Sequence, residues 1–149
     1  MHMIEITDER GAIATAVWLE RAQAVHRQLR TTLPVDYRLK MQSVFAGGGR
    51  MVAAVEEESV RGLAVWRVLE NTAIGVHLYV DDLVTDAQRR SLGVGHALVQ
   101  WLEQRARDLG CVALVLDSGT QRTRAHRFYF REGLAVVNFN FSKDLPRAS

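Results

Sequence analysis

The sequence predicts an α+β fold: one domain over residues 1–149, with a mixed, mostly antiparallel sheet of six to seven strands and about four helices. Three observations carry this reading. Apolar runs, separated by glycine and proline breaks, fall in the order strand, two helices, three strands, helix, strand, helix, strand. The long strand-like run from Val76 to Val84 ends at a turn that opens an amphipathic helical run from Val94 to Leu109. Finally, 149 residues that are 48% hydrophobic and 24% charged suit one soluble domain with its own core.

The elements follow in chain order. Ile4 to Thr7 is expected as a short first strand. Ala12 to Arg30 reads as a helix with Ile13, Val17, Leu19, Val25 and Leu29 apolar, broken by Leu33-Pro34. Asp36 to Ala46 holds a second short helix, ended by Gly47-Gly48-Gly49. Met51 to Val55 and Val60 to Val68 flank a polar turn and read as a hairpin. In the next helix Val94, Ala97, Leu98, Trp101, Leu102 and Leu109 recur at three- and four-residue steps, and Gly110 stops it. Cys111 to Leu116 is continuously apolar, as a strand covered on both faces should be. Gln121 to Glu132 is a short helix closed by Gly133. Ala135, Val137, Phe139 and Phe141 alternate with Asn138 and Asn140, the pattern of a final half-buried strand.

Composition excludes several classes. The net charge of +2 and scattered basic residues argue against a nucleic-acid partner. Cys111 to Leu116, the longest apolar run, is far too short for a membrane span. The N-terminus lacks a basic segment followed by an apolar one, and a single cysteine fits a reducing cytoplasm. Cys111 reads as a small core residue. The five histidines show no ligand spacing, so no metal is expected. Arg89-Arg90 and Arg122, Arg124, Arg127 and Arg131 are either solvated helix faces or phosphate contacts.

Arg90-Ser91-Leu92-Gly93-Val94-Gly95 is the most informative stretch. A basic side chain, a glycine turn and a helix N-terminus together make an anion site, because unpaired N–H groups and the helix dipole point there. A phosphate-binding loop of the Gly-Lys-Ser/Thr type would need the missing lysine. A dinucleotide fingerprint would need a third glycine where Leu98 stands, and would open the domain instead of starting near residue 90.

The hexapeptide resembles the Arg/Gln-x-x-Gly-x-Gly/Ala pyrophosphate loop of the GNAT acetyltransferases. Ala125-x-x-Phe128-Tyr129-x-x-x-Gly133 is similar to a second motif of that family. Asp81-Asp82-Leu83-Val84-Thr85 is similar to the Glu-Asp-Leu-x-Val segment of diamine N-acetyltransferases. The order of elements fits over nearly the whole chain. Three departures stand out: Ser91-Leu92 replaces the commoner Gly-Lys/Arg pair, Thr85 stands where valine is usual, and Leu134 where phenylalanine is frequent. None removes a backbone donor.

The resemblance implies a sheet splayed between strands four and five, with acetyl-CoA as co-substrate. Backbone N–H groups of Leu92, Gly93, Val94, Gly95 and His96, with Ser91 in the same loop and Arg90 adding charge, would hold the pyrophosphate. Leu83, Val84 and Thr85 would pair with the pantetheine arm, the N–H of Leu83 or Val84 reaching the thioester oxygen. Tyr129 would protonate the departing thiolate; by itself it reads equally as an aromatic packed beside Ala125 and Phe128. Asp82 is preferred to Asp81 as the carboxylate that binds an ammonium and relays its proton. Consecutive strand residues face opposite ways, so only one is expected in a given cleft. Trp18, Tyr37, Phe45, Trp66 and Tyr79 are each either pocket wall or core.

The function these residues imply is direct acetyl transfer to the amine of a small molecule, by an acyltransferase without a metal. A protein lysine or N-terminal acetyltransferase, or an acyl-CoA-binding module without turnover, are the alternatives. A closed acidic pocket would mark a small acceptor and an open groove a protein. The sequence leaves open whether two copies pair as a homodimer.

Overall fold

The computed structural model describes residues 1–90 and 93–148. These form two compact units, Met1–Leu116 and the residues from Asp117 onward. The first holds β1 (His2–Glu5), α1 (Ala16–Leu29), α2 (Tyr37–Ala46), β2 (Arg50–Glu56), β3 (Ser59–Asn71), β4 (Gly75–Thr85), α3 (Val94–Asp108) and β5 (Leu114–Leu116). The second holds α4 (Thr123–Arg131).

One sheet of five strands runs β1-β2-β3-β4-β5. The first four are antiparallel to their neighbours, and β5 joins β4 in parallel. Side chains alternate across the strands and both sets are apolar, so each face needs a cover. Met51, Ala53 and Val55 of β2 pack with Leu19 and Val25 of α1 and Met41 and Phe45 of α2. Val52 and Ala54 pack on the opposite face with Val94, Leu98 and Leu102 of α3.

The helix count agrees with the sequence, but the strand count does not: the sheet has five strands where six to seven were expected. Residues 135–148 carry no strand, and Val136, Val137, Phe139 and Phe141 are exposed. Alternation specifies two faces of a strand but not the neighbour its N–H and C=O groups must pair with. Among the described residues that segment has no such neighbour. β5 is also shorter than the apolar run, although Val112 and Leu78 already hydrogen-bond across to Val76 and Ala113. α1 starts four residues late. The Asp8 carboxylate accepts from the amides of Arg10 and Ala12, and Ala14 donates to the Ile6 carbonyl, so the segment is a turn instead of a helix.

Gly62 of β3 lets α3 seat on the sheet. A Cβ there would stand 2.8 Å from Cγ1 of Val94 and 3.0 Å from the Val84 carbonyl oxygen. The start of α3 is thereby held against the strand position that pairs with Thr85 at the end of β4. Replacing Gly62 with Ala should cost about 1–3 kcal/mol through this overpacking, read as a lower urea midpoint with unchanged slope.

Candidate active site

The end of β4 sets the site. Val65 pairs with Asp82 but Trp66 pairs with Val80, so Asp81 is an extra residue, a β-bulge. The bulge corrects a sequence expectation. Strict alternation would send Asp81 and Asp82 to opposite faces, yet both line one cavity with Tyr79. Beyond it the alternation resumes: Leu83 packs toward the α3 core and Val84 toward the α1–α2 core.

The backbone has a matching asymmetry. Asp86 donates to the Arg61 carbonyl at 2.8 Å, and Thr85, Val84 and Leu83 stand opposite Gly62, Leu63 and Ala64. Antiparallel pairs alternate between bonded and non-bonded, so Val84 bonds to β3 while Leu83 and Thr85 turn their N–H and C=O groups away from it. On that other edge β5 stops pairing at Val80, opposite Leu116. Among the described residues no strand covers 81–85 there.

The turn after β4 is tied to α1. The Gln28 side chain accepts from the Ala87 amide at 2.9 Å and donates to the Asp86 carboxylate, which also accepts from Gln88. Arg89, Arg90 and His96 are exposed, and Ser91 and Leu92 lie outside the described residues. Gly93 has φ +79°, a left-handed conformation natural to glycine, and caps α3 with no side-chain acceptor. Among the described residues, the first-turn amides of Val94 and Gly95 therefore lack an intrahelical acceptor and a side-chain cap. Donors of this kind suit an anionic group such as a pyrophosphate.

Between α1, α2 and β4 lies a cavity of about 530 Å³. Asp82 is its most constrained wall. Its carboxylate accepts from Nε2 of His26 at 2.7 Å and from Nε of Arg30 at 2.7 Å. His26, only 1% exposed, meets the Tyr37 hydroxyl through Nδ1 at 2.8 Å. Burial alone would push the Asp82 carboxyl up; the His26 hydrogen bond and then Arg30 outweigh it and hold it below the ordinary carboxylate range. Burial, followed by the charge of Asp82, raises the Tyr37 phenol well above its usual value. With Asp82 ionised, Nε2 of His26 donates to its carboxylate, and Nδ1 shares a proton with the Tyr37 hydroxyl. Asp81 accepts both Nε and Nη2 of Arg67, a bidentate pair that raises the guanidinium's affinity for its proton.

The sequence reading missed His26, Arg30 and Arg67. One signal was available: His26 falls on the apolar stripe of α1 with Ala22 and Val25, so it had to be buried and partnered. Of the aromatic candidates, Tyr79 lines the cavity, Tyr37, Phe45 and Trp66 are buried, and Trp18 packs on the first core. Cys111 is half-buried against the second core, and burial raises its thiol, which disfavours a nucleophilic thiolate.

In the second unit Tyr129 is half-buried on α4 with its ring stacked on Phe128 at 5.6 Å. Arg122, Arg124, Arg127 and Arg131 are exposed. Among the described residues no group of three or more His, Cys, Asp or Glu is arranged to hold a metal, and no helix is long and apolar enough to cross a membrane.

The comparisons agree with this geometry. The chain belongs to the acetyltransferase (GNAT) family, whose profile matches residues 17–134. It is 32% identical to Uncharacterized N-acetyltransferase YhdJ of Bacillus subtilis (strain 168), over 96% of this chain and 98% of that one. A shorter match, 36% identical over 66 residues, covers 44% of this chain and 43% of the aminoalkylphosphonate N-acetyltransferase of Salmonella typhimurium. The solved aminoglycoside N-acetyltransferase AAC(6')-Iy in complex with CoA shares the fold, with TM-score 0.79 at 15% identity over 97% of this chain and 95% of that one. The protein is an acyltransferase of the N-acetyltransferase type, in a family that uses acetyl-CoA.

The buried network makes two stability predictions. His26→Ala removes a buried ring and strands the Tyr37 hydroxyl, so it should cost about 2–5 kcal/mol in chemical denaturation. The Asp82 carboxyl lies lower in the folded chain than its unfolded value of about 3.9, so its contribution is full above that value and lost as pH falls through the folded one. Acid titration followed by circular dichroism should show Asp82→Asn losing less stability below about pH 4 than the wild type.

Proposed function

We propose that residues 1–149 form one domain that transfers an acetyl group directly from acetyl-CoA to the amine of a small molecule, in the cytoplasm. The observation that carries this reading is the uncovered edge of β4 beside the uncapped start of α3. The family profile crosses the boundary between the two compact units, which supports a single domain. Two relatives are named for small amine acceptors, an aminoalkylphosphonate and an aminoglycoside. Those acceptors differ in charge and share the amine and the small size. A cavity walled by charged side chains also fits a small acceptor better than a protein surface.

Bound acetyl-CoA supplies an acyl group activated on sulfur. Arg90 and the amides from Ser91 to His96 hold the pyrophosphate. Leu83 and Thr85 present N–H groups to the pantetheine arm, with Val84 between them bonded to β3, and the Leu83 N–H polarises the thioester carbonyl. Asp82, kept ionised and fixed in place by His26 and Arg30, orients the acceptor's ammonium. A carboxylate held below its usual range is a poor resting place for a proton, so the proton passes on through water to solvent. The neutral amine attacks the carbonyl carbon, the carbon–sulfur bond breaks, and Tyr129 donates its phenolic proton to the sulfur; the acylated nitrogen releases its extra proton to water, and the phenolate takes one back from solvent. A phenol near pKa ~10 and a thiol near ~8.5 are matched closely enough for that transfer.

Tyr129→Phe should retain acetyl-CoA affinity and lose about 10²–10⁴-fold in turnover, the range for a placed proton donor; wild-type turnover would return Tyr129 to a packing role. Gly93→Asp places a carboxylate at the pyrophosphate position and should abolish acetyl-CoA binding in calorimetry, while the circular dichroism spectrum stays native. Asp82→Asn should raise the acceptor KM as well as lower the rate.

A further inference from the structure

The charges of the cavity are unequal. Arg30, Arg67 and Lys40 line it, against the carboxylates of Asp81 and Asp82. Each carboxylate is already matched, Asp82 by Arg30 and Asp81 by Arg67. The ammonium of Lys40, exposed on α2, has no hydrogen-bond or ion-pair partner among the described residues. The cavity therefore carries an excess of one positive charge before any acceptor enters. An acceptor bearing only ammonium groups would raise that excess, and a polyamine would raise it most. The acidic pair on β4, which in the sequence resembles that of diamine N-acetyltransferases, thus carries no net negative charge with which to select a polycation.

We propose that the acceptor is an amine that also carries an anionic group, a carboxylate, phosphonate or phosphate, held by Lys40 together with donors of Arg30 and Arg67. This rests on the reading of the cavity as the acceptor site of an N-acetyltransferase. The ammonium lies at Asp82 and the anion at Lys40, both of which line the cavity. Donors remain for the anion. Among the described residues Nη1 of Arg30 makes no bond, Nη1 of Arg67 gives one to the Gly47 carbonyl and keeps a second hydrogen, and Thr32 also lines the cavity. Charge-assisted contacts of this kind each change affinity by about ten-fold or more.

The test compares three amines that share a primary amine on a three-carbon chain: 3-aminopropylphosphonate, propylamine and spermidine. Acetyl-CoA turnover gives kcat/KM for each, and calorimetry gives their binding to the protein alone. The phosphonate should exceed both others by about ten-fold or more in both readouts, and the advantage should shrink as salt rises. Lys40→Glu should cut the ratio of phosphonate to propylamine by at least ten-fold; Lys40→Gln should cut it less. β-Alanine in place of the phosphonate separates the two anion chemistries, and preference for either over propylamine supports the proposal. Acetylation of spermidine or propylamine as well as the phosphonate overturns the anionic acceptor and leaves the N-acetyltransferase reading intact. Preferential, Lys40-dependent binding of the phosphonate without turnover of any amine does the reverse.

Discussion

Everything at the site depends on where the β4–β5 ladder ends. Parallel pairing closes at Val80 and Leu116, while β4 runs on to Thr85 with β3 on its other side. A strand held on one edge and open on the other is a rigid row of hydrogen-bonding groups. The bulge at Asp81 sits just past the last position paired with β5 and has two effects at once. It resets the alternation so that Leu83 and Thr85 face the open edge, and it turns both aspartates into one cavity. Seating of α3 on Gly62 then brings the helix start to the same end of the sheet. Backbone donors and charged side chains are thus placed by the core instead of by flexible loops.

The buried polar chain through Tyr37, His26 and Asp82 shows which effects win. Taking a carboxylate out of water disfavours its charge by several kcal/mol if nothing compensates. Here two charge-assisted hydrogen bonds reverse the sign, and Asp82 stays ionised although its side chain is only 14% exposed. Burial and the charge of Asp82 keep the Tyr37 phenol protonated at the far end of the chain. The result is a carboxylate held in one orientation at the cavity wall, which suits binding and alignment better than proton storage.

Much of this was legible in the sequence. The hairpin, the long fourth strand and the helix from Val94 follow from glycine placement and apolar period, which are local. The bulge was not legible, because it depends on register between β3 and β4, and that reversed the expectation for Asp81 and Asp82. His26, Arg30 and Arg67 were missed because their meaning comes from partners 56, 52 and 14 residues away in the chain. The strand expected at 135–141 failed for the opposite reason: its local pattern is good, and pairing is not a local property. Charge counting suffered most. Two adjacent aspartates look like an acidic site until the arginines that neutralise them are placed.

The central claim is that the open edge of β4 is the acetyl-CoA-binding edge. Amide hydrogen exchange, followed residue by residue in NMR spectra, tests it directly. In the free protein the Val84 amide should be protected by β3, while Leu83 and Thr85 exchange fast. Saturating acetyl-CoA should protect Leu83 and Thr85 and leave Val84 as it was. Fast exchange at both Leu83 and Thr85 in the acetyl-CoA complex would contradict the account.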